Sequence, residues 1–448
     1  MQQLRNTTLI LLLLSSCVVA QENKSLSLDE AIKITLSHNP NIEIAGMQRV
    51  IDKFSLKTAY DQFQPHYGLS ANYVKENGDN SFNFTPNFTI KTPIGTTVNI
   101  SNQIGHEHDF INSNVTNVSV MQPLLKGSSY ALNTAGLDNA IDQEKLNRLN
   151  YGQKIADIII ALQQQYFQVL QDKQQQQIYQ LSLQRSEDAL KEYKIRVKAG
   201  KIPESSITQQ QSQITTNKLQ LELNKAALAR DYSNLLLLMG LDYKTQYHLD
   251  DNVDTSKITI PNLNDAIKQA KIGNRNYLQQ KIQLGSIKRN VLIAKDDLSW
   301  QLDLNANWNS NGDKSTAISA NINLNDMPAK LNLATAENNL KQANIELQES
   351  EKHLEVEVAN LRNNLLLQQK EIELAELNVR FSEQNYNNSL QSQLHGRASS
   401  YEVVAQHQSY LQAQIDLINY KINFYSAYSS FINYLGIVLQ QWDIKLNM

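Results

Sequence analysis

The stretch Leu28-Asp29-Glu30-Ala31-Ile32-Lys33 returns 235 residues later as Leu263-Asn264-Asp265-Ala266-Ile267-Lys268. Further residues recur by this shift or by a second one of 196 residues: Asn39 as Asn274, Gly200 as Gly396 and Gly240 as Gly436. Self-similarity at a fixed spacing indicates a repeated structural unit. The chain is therefore a tandem duplication, with a first repeat at 21–240 and a second at 263–436.

Each repeat changes its hydrophobic period twice. Residues 28–63 have a helical pattern, with a break at Asn39-Pro40. Apolar and polar residues then alternate at about 67–122 and, more briefly, at about 301–325, which is typical of strands. Each repeat ends in a stretch long enough for a helical hairpin, turned at Ala199-Gly200-Lys201 or at His395-Gly396-Arg397.

The composition favours long helices. The 448 residues include 15 Gly and 8 Pro, the two residue types that most disfavour helix. Segment 129–198 alone would form a helix on the order of 100 Å long, too long to bury itself in one globule. Its narrow apolar stripe, which is typical of coiled-coil packing, consists of Ile155, Ile158, Ile159, Leu162, Tyr166 and Leu170.

The N-terminus has the pattern of a secretory signal peptide at 1–20, with a short apolar core and small residues before Gln21. We favour cleavage after Ala20. The alternative is a lipobox, Leu14-Ser15-Ser16-Cys17, which would leave Cys17 lipidated as the first residue. Beyond residue 20 no apolar run approaches the ~20 residues of a membrane-spanning helix, so a membrane-spanning form would have to be a barrel.

Several function classes are excluded by the sequence. The net charge of -3 argues against a nucleic-acid binder, which would carry a basic face. No nucleophile elbow, P-loop or dinucleotide fingerprint is present, so we expect no enzyme and no cofactor. His106-Glu107-His108 and Asp250-Asp251 with Asp254 are weak metal motifs, and we interpret both as polar loop or linker residues.

The ordered set of signal peptide, strand segments and duplicated helical hairpins resembles the TolC family of outer-membrane channel-tunnel proteins. The resemblance extends from Leu26 to about Gly436. Its most specific pieces are the two repeat openings and the segment Val118 to Gly127. We add a linker or equatorial segment at 241–262 and a C-terminal tail at 437–448 to the two repeats.

The resemblance implies a mainly α fold with a β-barrel portion. Three copies would share a 12-stranded transmembrane β-barrel, four strands from each, and their long coiled-coil hairpins would form an α-helical barrel. The first strand region is longer than the second by about one hairpin, which we expect to lengthen the extracellular side instead of adding barrel strands. Tyr67, Tyr73, Trp300 and Trp308 suit an aromatic girdle at the membrane interface, with core packing as the alternative.

The resemblance also implies location in the outer membrane of a Gram-negative bacterium, extending into the periplasm. The homotrimer would be the exit duct of a tripartite efflux pump or a type I secretion system. Its partners would be a periplasmic adaptor and an inner-membrane pump or ABC transporter. The competing hypothesis is an exported, non-conducting coiled-coil adhesion protein, which would have no use for strand segments in both repeats.

Two kinds of site residue follow from the resemblance. The hairpin tips, Gly200-Lys201 and Gly396-Arg397, match turns that meet the adaptor. Glu402 matches a position that lines the closed periplasmic aperture, where three copies would form a carboxylate ring; the second acidic position of the family is Ala405 here. The alternative for Glu402 is a solvated residue on an outer helix face.

Overall fold

The computed structural model describes residues 25–76, 79–107, 110–245, 247–250 and 258–445. Cys17 and the expected signal peptide lie outside these residues. The helices are α1 (Leu28–His38), α2 (Pro40–Asp61), α3 (Tyr130–Asn133), α4 (Ala135–Lys198), α5 (Ser205–Leu238), α6 (Leu263–Gly273), α7 (Arg275–Asp296), α8 (Met327–Leu394), α9 (Ser400–Leu435) and α10 (Val438–Gln441). The strands are β1 (Ser25–Leu26), β2 (His66–Glu76), β3 (Asp79–Lys91), β4 (Thr97–Glu107), β5 (Phe110–Pro123), β6 (His248–Leu249), β7 (Gln301–Asn309) and β8 (Lys314–Asn321).

The chain forms two compact units. Unit 1 comprises residues 1–39, 161–257 and 374–422, and unit 2 comprises the remaining segments 40–160, 258–373 and 423–448. Unit 1 therefore holds the turns between α4 and α5 and between α8 and α9. Unit 2 holds all strands from β2 to β5 together with β7 and β8.

The predicted helical openings and their break are present in both repeats. Ser27 and Glu30 form a capping box that starts α1, an arrangement that satisfies two exposed N–H groups of the first turn. Asn39 is extended, with φ -70° and ψ 120°, because a residue before proline is disfavoured in helix. Its counterpart Asn274 is extended as well, and its side chain caps α7 by accepting from the Tyr277 N–H at 3.0 Å.

The core of unit 1 surrounds the segment of α4 that begins at residue 161. Leu162 and Leu170 are fully buried there, as are Leu235 and Leu236 of α5. The hydroxyl of Tyr166 donates to the Leu26 carbonyl at 2.9 Å, which ties α4 to the parallel pair β1–β6. All six residues of the apolar stripe expected in 129–198 are buried, so that prediction is confirmed.

Ion pairs cross between the helices of unit 2. Arg49 of α2 pairs with Glu144 of α4. Arg289 of α7 pairs with Asp142 of α4 and also donates from Nε to Asn139 at 2.8 Å. The Arg49 guanidinium lowers the pKa of Glu144 chiefly by a hydrogen bond. These contacts join α2 and α7, the equivalent helices of the two repeats, to the same helix.

The sheet of unit 2 has six antiparallel strands in the order β2-β3-β4-β5-β7-β8. The expectation of four strands per chain is therefore wrong for this sheet. The hairpin β3–β4 continues the ladder with 11 residue pairs to β2 and 11 to β5, so it does not merely extend one end. The ladder between β3 and β4 lacks pairs at Thr85 and Pro86, where Pro86 has no N–H to donate.

No helix within the described residues carries an apolar stretch of the length and hydropathy needed to span a membrane.

Candidate functional site

The two hairpin tips of unit 1 have the same backbone structure. At the first tip, Gly200 donates to the Val197 carbonyl at 2.9 Å and Lys201 donates to the Arg196 carbonyl at 2.9 Å. At the second, Gly396 and Arg397 donate to the equivalent carbonyls of Gln393 and Ser392, at 3.0 and 2.8 Å. This pair of bonds defines a Schellman motif. The duplication therefore extends to the individual hydrogen bonds of the tips.

A left-handed glycine is required at each tip. Gly200 has φ +67° and Gly396 has φ +72°, a conformation that costs other L-residues roughly 1–2 kcal/mol. A β-carbon at either position would have no atom within 4 Å. The space around both turns is therefore open in the chain, and only backbone conformation selects glycine there.

The other two helix ends of the duplication have the same turn but closely packed surroundings. Gly240 and Gly436 also end their helices with positive φ, +75° and +73°. A β-carbon on Gly240 would collide with the carbonyl oxygen of His38, and one on Gly436 with the carbonyl oxygen of Gly273. These glycines serve packing as well as turning, so the open tips are not a general property of the four equivalent turns.

Exposed cations flank the tips. Lys198 and Lys201 at the first tip and Arg397 at the second are exposed. The structure thus places all four predicted tip residues on the surface of unit 1, where they are accessible to a partner.

Glu402 lies in the first turn of α9, just after the second tip. Its N–H donates to the hydroxyl of Ser399 at 3.1 Å, an N-capping contact, and a carboxylate in this turn is favoured by the helix dipole. Glu402 is exposed, as is Ala405 one turn later. In one chain the carboxylate therefore faces open space, and a ring of carboxylates would need further copies.

A buried polar cluster behind the tips was not predicted from the sequence. Gln393 donates from Nε2 to the hydroxyl of Tyr193 at 3.0 Å and to the hydroxyl of Ser400 at 3.1 Å. Arg196 donates to the Gln393 carbonyl at 3.4 Å. These contacts join α4, α8 and α9 next to both turns. The cluster therefore couples the position of one tip to that of the other.

A second cluster surrounds His407 of α9. The His407 ring centre lies 5.0 Å from that of Tyr386, which in turn stacks on Tyr410 at 6.2 Å. The hydroxyl of Tyr410 donates to Glu383 at 3.2 Å, and the Arg185 guanidinium lies 6.0 Å from the Tyr410 ring centre. Burial, with the Arg185 charge second, lowers the pKa of His407 to about 4. His407 is therefore neutral in the fold at neutral pH.

The cavity between these clusters is small. Its volume is about 40 Å³, and its walls include Arg185, Tyr193, Gln393 and His407. This volume is close to that of one water molecule and far below the 300–1,000 Å³ typical of small-molecule sites. The clusters therefore act in packing and positioning instead of binding a ligand.

Neither weak metal motif gains support. His108, Asp251 and Asp254 lie outside the described residues. Among the residues that are described, His, Cys, Asp and Glu side chains nowhere gather in a group suited to a metal ion.

Comparison with known proteins shows which family the first repeat resembles. Residues 32–241 match the model of the family described as outer membrane efflux protein. This match spans most of the first repeat, and the predicted resemblance to the TolC family is confirmed. The family description names an efflux protein, and the expectation that the chain is not an enzyme is confirmed.

Solved structures show the same fold over nearly the whole chain. VceC from Vibrio cholerae is 15% identical with a TM-score of 0.67, and the match covers 91% of this chain and 96% of VceC. The Campylobacter jejuni outer membrane channel CmeC is 14% identical with a TM-score of 0.64, covering 91% and 85%. The open-state Neisseria gonorrhoeae MtrE outer membrane channel is 12% identical with a TM-score of 0.67, covering 91% and 88%. No curated protein matches the chain significantly in sequence.

Proposed function

We propose that three copies of this chain form an efflux duct in the outer membrane of a Gram-negative bacterium, with the helical hairpins reaching into the periplasm. The observation that carries the proposal is an antiparallel sheet whose paired residues place apolar side chains on one face and polar ones on the other, in the same chain as two long helical hairpins. A sheet with one apolar and one polar face suits a wall between lipid and water. The adhesion alternative leaves this sheet without a role.

The duct works with partners that select the cargo. A periplasmic adaptor and an inner-membrane pump or ABC transporter deliver the substrate, in drug efflux or in type I secretion. The duct itself conducts passively. The outer membrane efflux family of the first repeat supports this role.

The adaptor docks on the hairpin tips. Open space around Gly200 and Gly396 lets another protein approach the backbone, and Lys201 and Arg397 offer exposed cations for acidic or carbonyl groups. The Gln393 cluster supports docking at both tips together, because it holds the two turns in a fixed relation.

Glu402 lines the periplasmic aperture. Its place in the first turn after the second tip, and its exposure in the single chain, suit a residue that faces its copies across an axis. Three carboxylates at a constriction would favour cations over anions.

The proposal is tested in a strain that lacks the gene. Export of dyes, antibiotics and secreted proteins is compared between the deletion strain, the complemented strain and a strain with a tip-deleted chain at equal outer-membrane abundance. We expect export to be lost in the first and third strains. Unchanged export of every cargo class in the deletion strain would overturn the proposal, and the class that is lost separates drug efflux from type I secretion.

A further inference from the structure

The hairpin β3–β4 is a full part of the sheet of unit 2. Residue pairs join β3 to β2 from His66–Thr89 to Glu76–Asp79, which is the whole length of β2. On its other side, β4 pairs with β5 from Thr97–Met121 to Glu107–Phe110. A hairpin that only extended the loops at one end would not pair with its neighbours from base to tip.

The turn of this hairpin lies at the same end of the sheet as the end of β5. A β-carbon on Gly95, in the turn between β3 and β4, would collide with Pro123 and with the Gly127 carbonyl. The Gln122 side chain donates to the Ile94 carbonyl at 3.3 Å. The hairpin therefore begins where β5 returns to the helices.

The hairpin also continues both faces of the sheet. Residues directly opposite one another in an antiparallel ladder share a face, and pairing therefore extends one apolar face through all six strands. Its members from successive strands include Tyr67 and Leu69, Phe84 and Phe88, Val98 and Ile100, Val118 and Val120, Leu304 and Trp308, and Ile318.

The opposite face is polar on the same hairpin. Asn87 and Thr89 of β3 pair with Ser101 and Asn99 of β4, and Thr89 donates to Asn99 at 2.8 Å. Asn102, Asn114 and Thr116 are polar exceptions on the apolar face, where Asn102 donates to Thr116 at 2.8 Å and to Asn114 at 3.1 Å. Period-two alternation of this kind is what a strand between lipid and a watery lumen requires.

We propose that the β3–β4 hairpin is part of the membrane wall, and that three copies close an 18-stranded barrel in which β8 of each copy pairs with β2 of the next. The strand count rests on the proposed trimer. β2 and β8 are the outer strands of the sheet, and backbone groups at such edges cannot stay unpaired in lipid. Because the sheet has an even number of alternating strands, β8 and the neighbouring β2 run antiparallel, as in outer-membrane barrels.

The added strands widen the conduit. Barrel diameter grows roughly linearly with strand number, so 18 strands give a barrel about 1.5-fold wider than 12, in the range where porins keep an aqueous channel. The outer part of this duct would therefore admit bulkier cargo than a 12-stranded wall.

The decisive measurement is a strand count in the membrane section of the purified full-length protein by electron cryo-microscopy. We expect 18 strands with β3 and β4 in the wall. Twelve strands would overturn the proposal, whether the hairpin stands outside a trimeric wall or two six-stranded chains form the ring. The count is independent of cargo, so a failed export assay and a failed strand count are distinct results.

A deletion gives a second test. Removing residues 79–107 joins β2 directly to β5 and leaves four strands per chain. Polyethylene glycols of graded size, added from the extracellular side during planar-bilayer recording, measure the width of the outer mouth. We expect the size limit of the deleted chain to correspond to a mouth about 1.5-fold narrower, and equal limits would contradict the proposal.

Point variants cover the case in which the deleted chain does not assemble. Ile100 and Ser101 are neighbours on opposite faces of β4. Ile100→Arg should lower the amount of assembled protein in the outer membrane severalfold, while Ser101→Arg should assemble at the wild-type level. Equal assembly of the two variants would place the hairpin outside the lipid and overturn the proposal.

Discussion

The side-chain amide of Asn39 donates a hydrogen bond to the backbone carbonyl of Leu238 at 2.6 Å. The second repeat contains the same contact, from Asn274 to Tyr434 at 2.9 Å. In each case an asparagine at the break between two helices holds the C-terminal end of a hairpin helix. The duplication therefore preserves a specific hydrogen bond as well as a pattern of helices. The glycine just after each bond, Gly240 or Gly436, is packed against backbone.

Substitution of the packed and open glycines should separate these roles. Gly200→Ala bears only the cost of a left-handed alanine, roughly 1–2 kcal/mol. Gly240→Ala adds a collision with the His38 backbone, so we expect a clearly larger loss of thermal stability, read as the unfolding temperature in mild detergent. Equal losses of unfolding temperature would show that the His38 backbone can shift to admit the new β-carbon without a cost in stability.

Charge reversal at the tips should impair docking. In the double variant Lys201→Glu/Arg397→Glu we expect weaker adaptor binding, with an effect that shrinks at high salt. Binding of the purified adaptor is measured by surface plasmon resonance. Lys225→Glu, a reversal at an exposed site on α5, is the matched control. If the double variant bound the adaptor as tightly as the wild type does, the charged tip residues would not contribute to the interface.

Charge reversal at Glu402 should change ion selectivity. If three copies line the constriction, Glu402→Gln should lower the cation preference, and Glu402→Lys should reverse it at low salt. The effect should fade near 1 M salt, where the Debye length is ~3 Å. Reversal potentials in planar bilayers report the result, with Glu222→Lys as the control. Unaltered reversal potentials in Glu402→Lys would show that Glu402 does not line the constriction, and Ser399 and Gln406 would then be tested for that role.

His407 should make the fold sensitive to acid. Its pKa is about 4 in the fold and roughly 6.5 when unfolded, so the unfolded chain binds the extra proton first. Its contribution is present above about pH 6.5 and is lost as the pH falls toward 4, by up to about 3 kcal/mol per chain. His407→Phe keeps a ring beside Tyr386. We expect its unfolding temperature to fall less than that of the wild type as the pH drops from about 6.5 to about 4. Parallel pH profiles would contradict this.

Asp172 should act with the opposite sign. It is buried on α4, and burial, with Asp231 second, raises its pKa to about 6. Its contribution to stability is present below the unfolded value of 3.8 and is lost as the pH rises through about 6. Asp172→Asn should therefore raise stability at pH 7–8, by at most about 3 kcal/mol, and have little effect near pH 4. The same pH series of unfolding temperatures tests it, and a destabilised variant at pH 8 would refute it.

The sequence predicted the repeated parts of the fold better than the unrepeated ones. The helical openings at Leu28 and Leu263, the breaks at Asn39 and Asn274 and both glycine turns were predictable because each had a partner in the other half. Residues 79–107 have no such partner. Their alternation correctly indicated strands, but a single sequence carries no signal for where the ladder of β2 continues, so the position of the hairpin inside the sheet was not predicted.

The same reason explains the clusters that were missed. The 196-residue shift aligns Gln393 with Val197, so the repeat offered no hint of a buried amide at that position. Gln393 and His407 belong to these clusters because they contact side chains on other helices, among them Tyr193 and Tyr386. Such contacts depend on how the long helices pack. The standing of Glu402 as an aperture residue depends on other copies and stays a prediction.

The two outer strands of the sheet have a genetic consequence. In the proposed ring, β8 of one copy meets β2 of the next, so the contact is head-to-tail and a ring closes only when every copy offers both edges. A copy damaged in β2 alone could still attach through β8 and would leave a gap at its other side. In a cell making damaged and intact copies in equal amounts, random mixing would leave about one ring in eight wholly intact. Lesions at this edge should therefore be dominant, whereas lesions that prevent folding should be recessive.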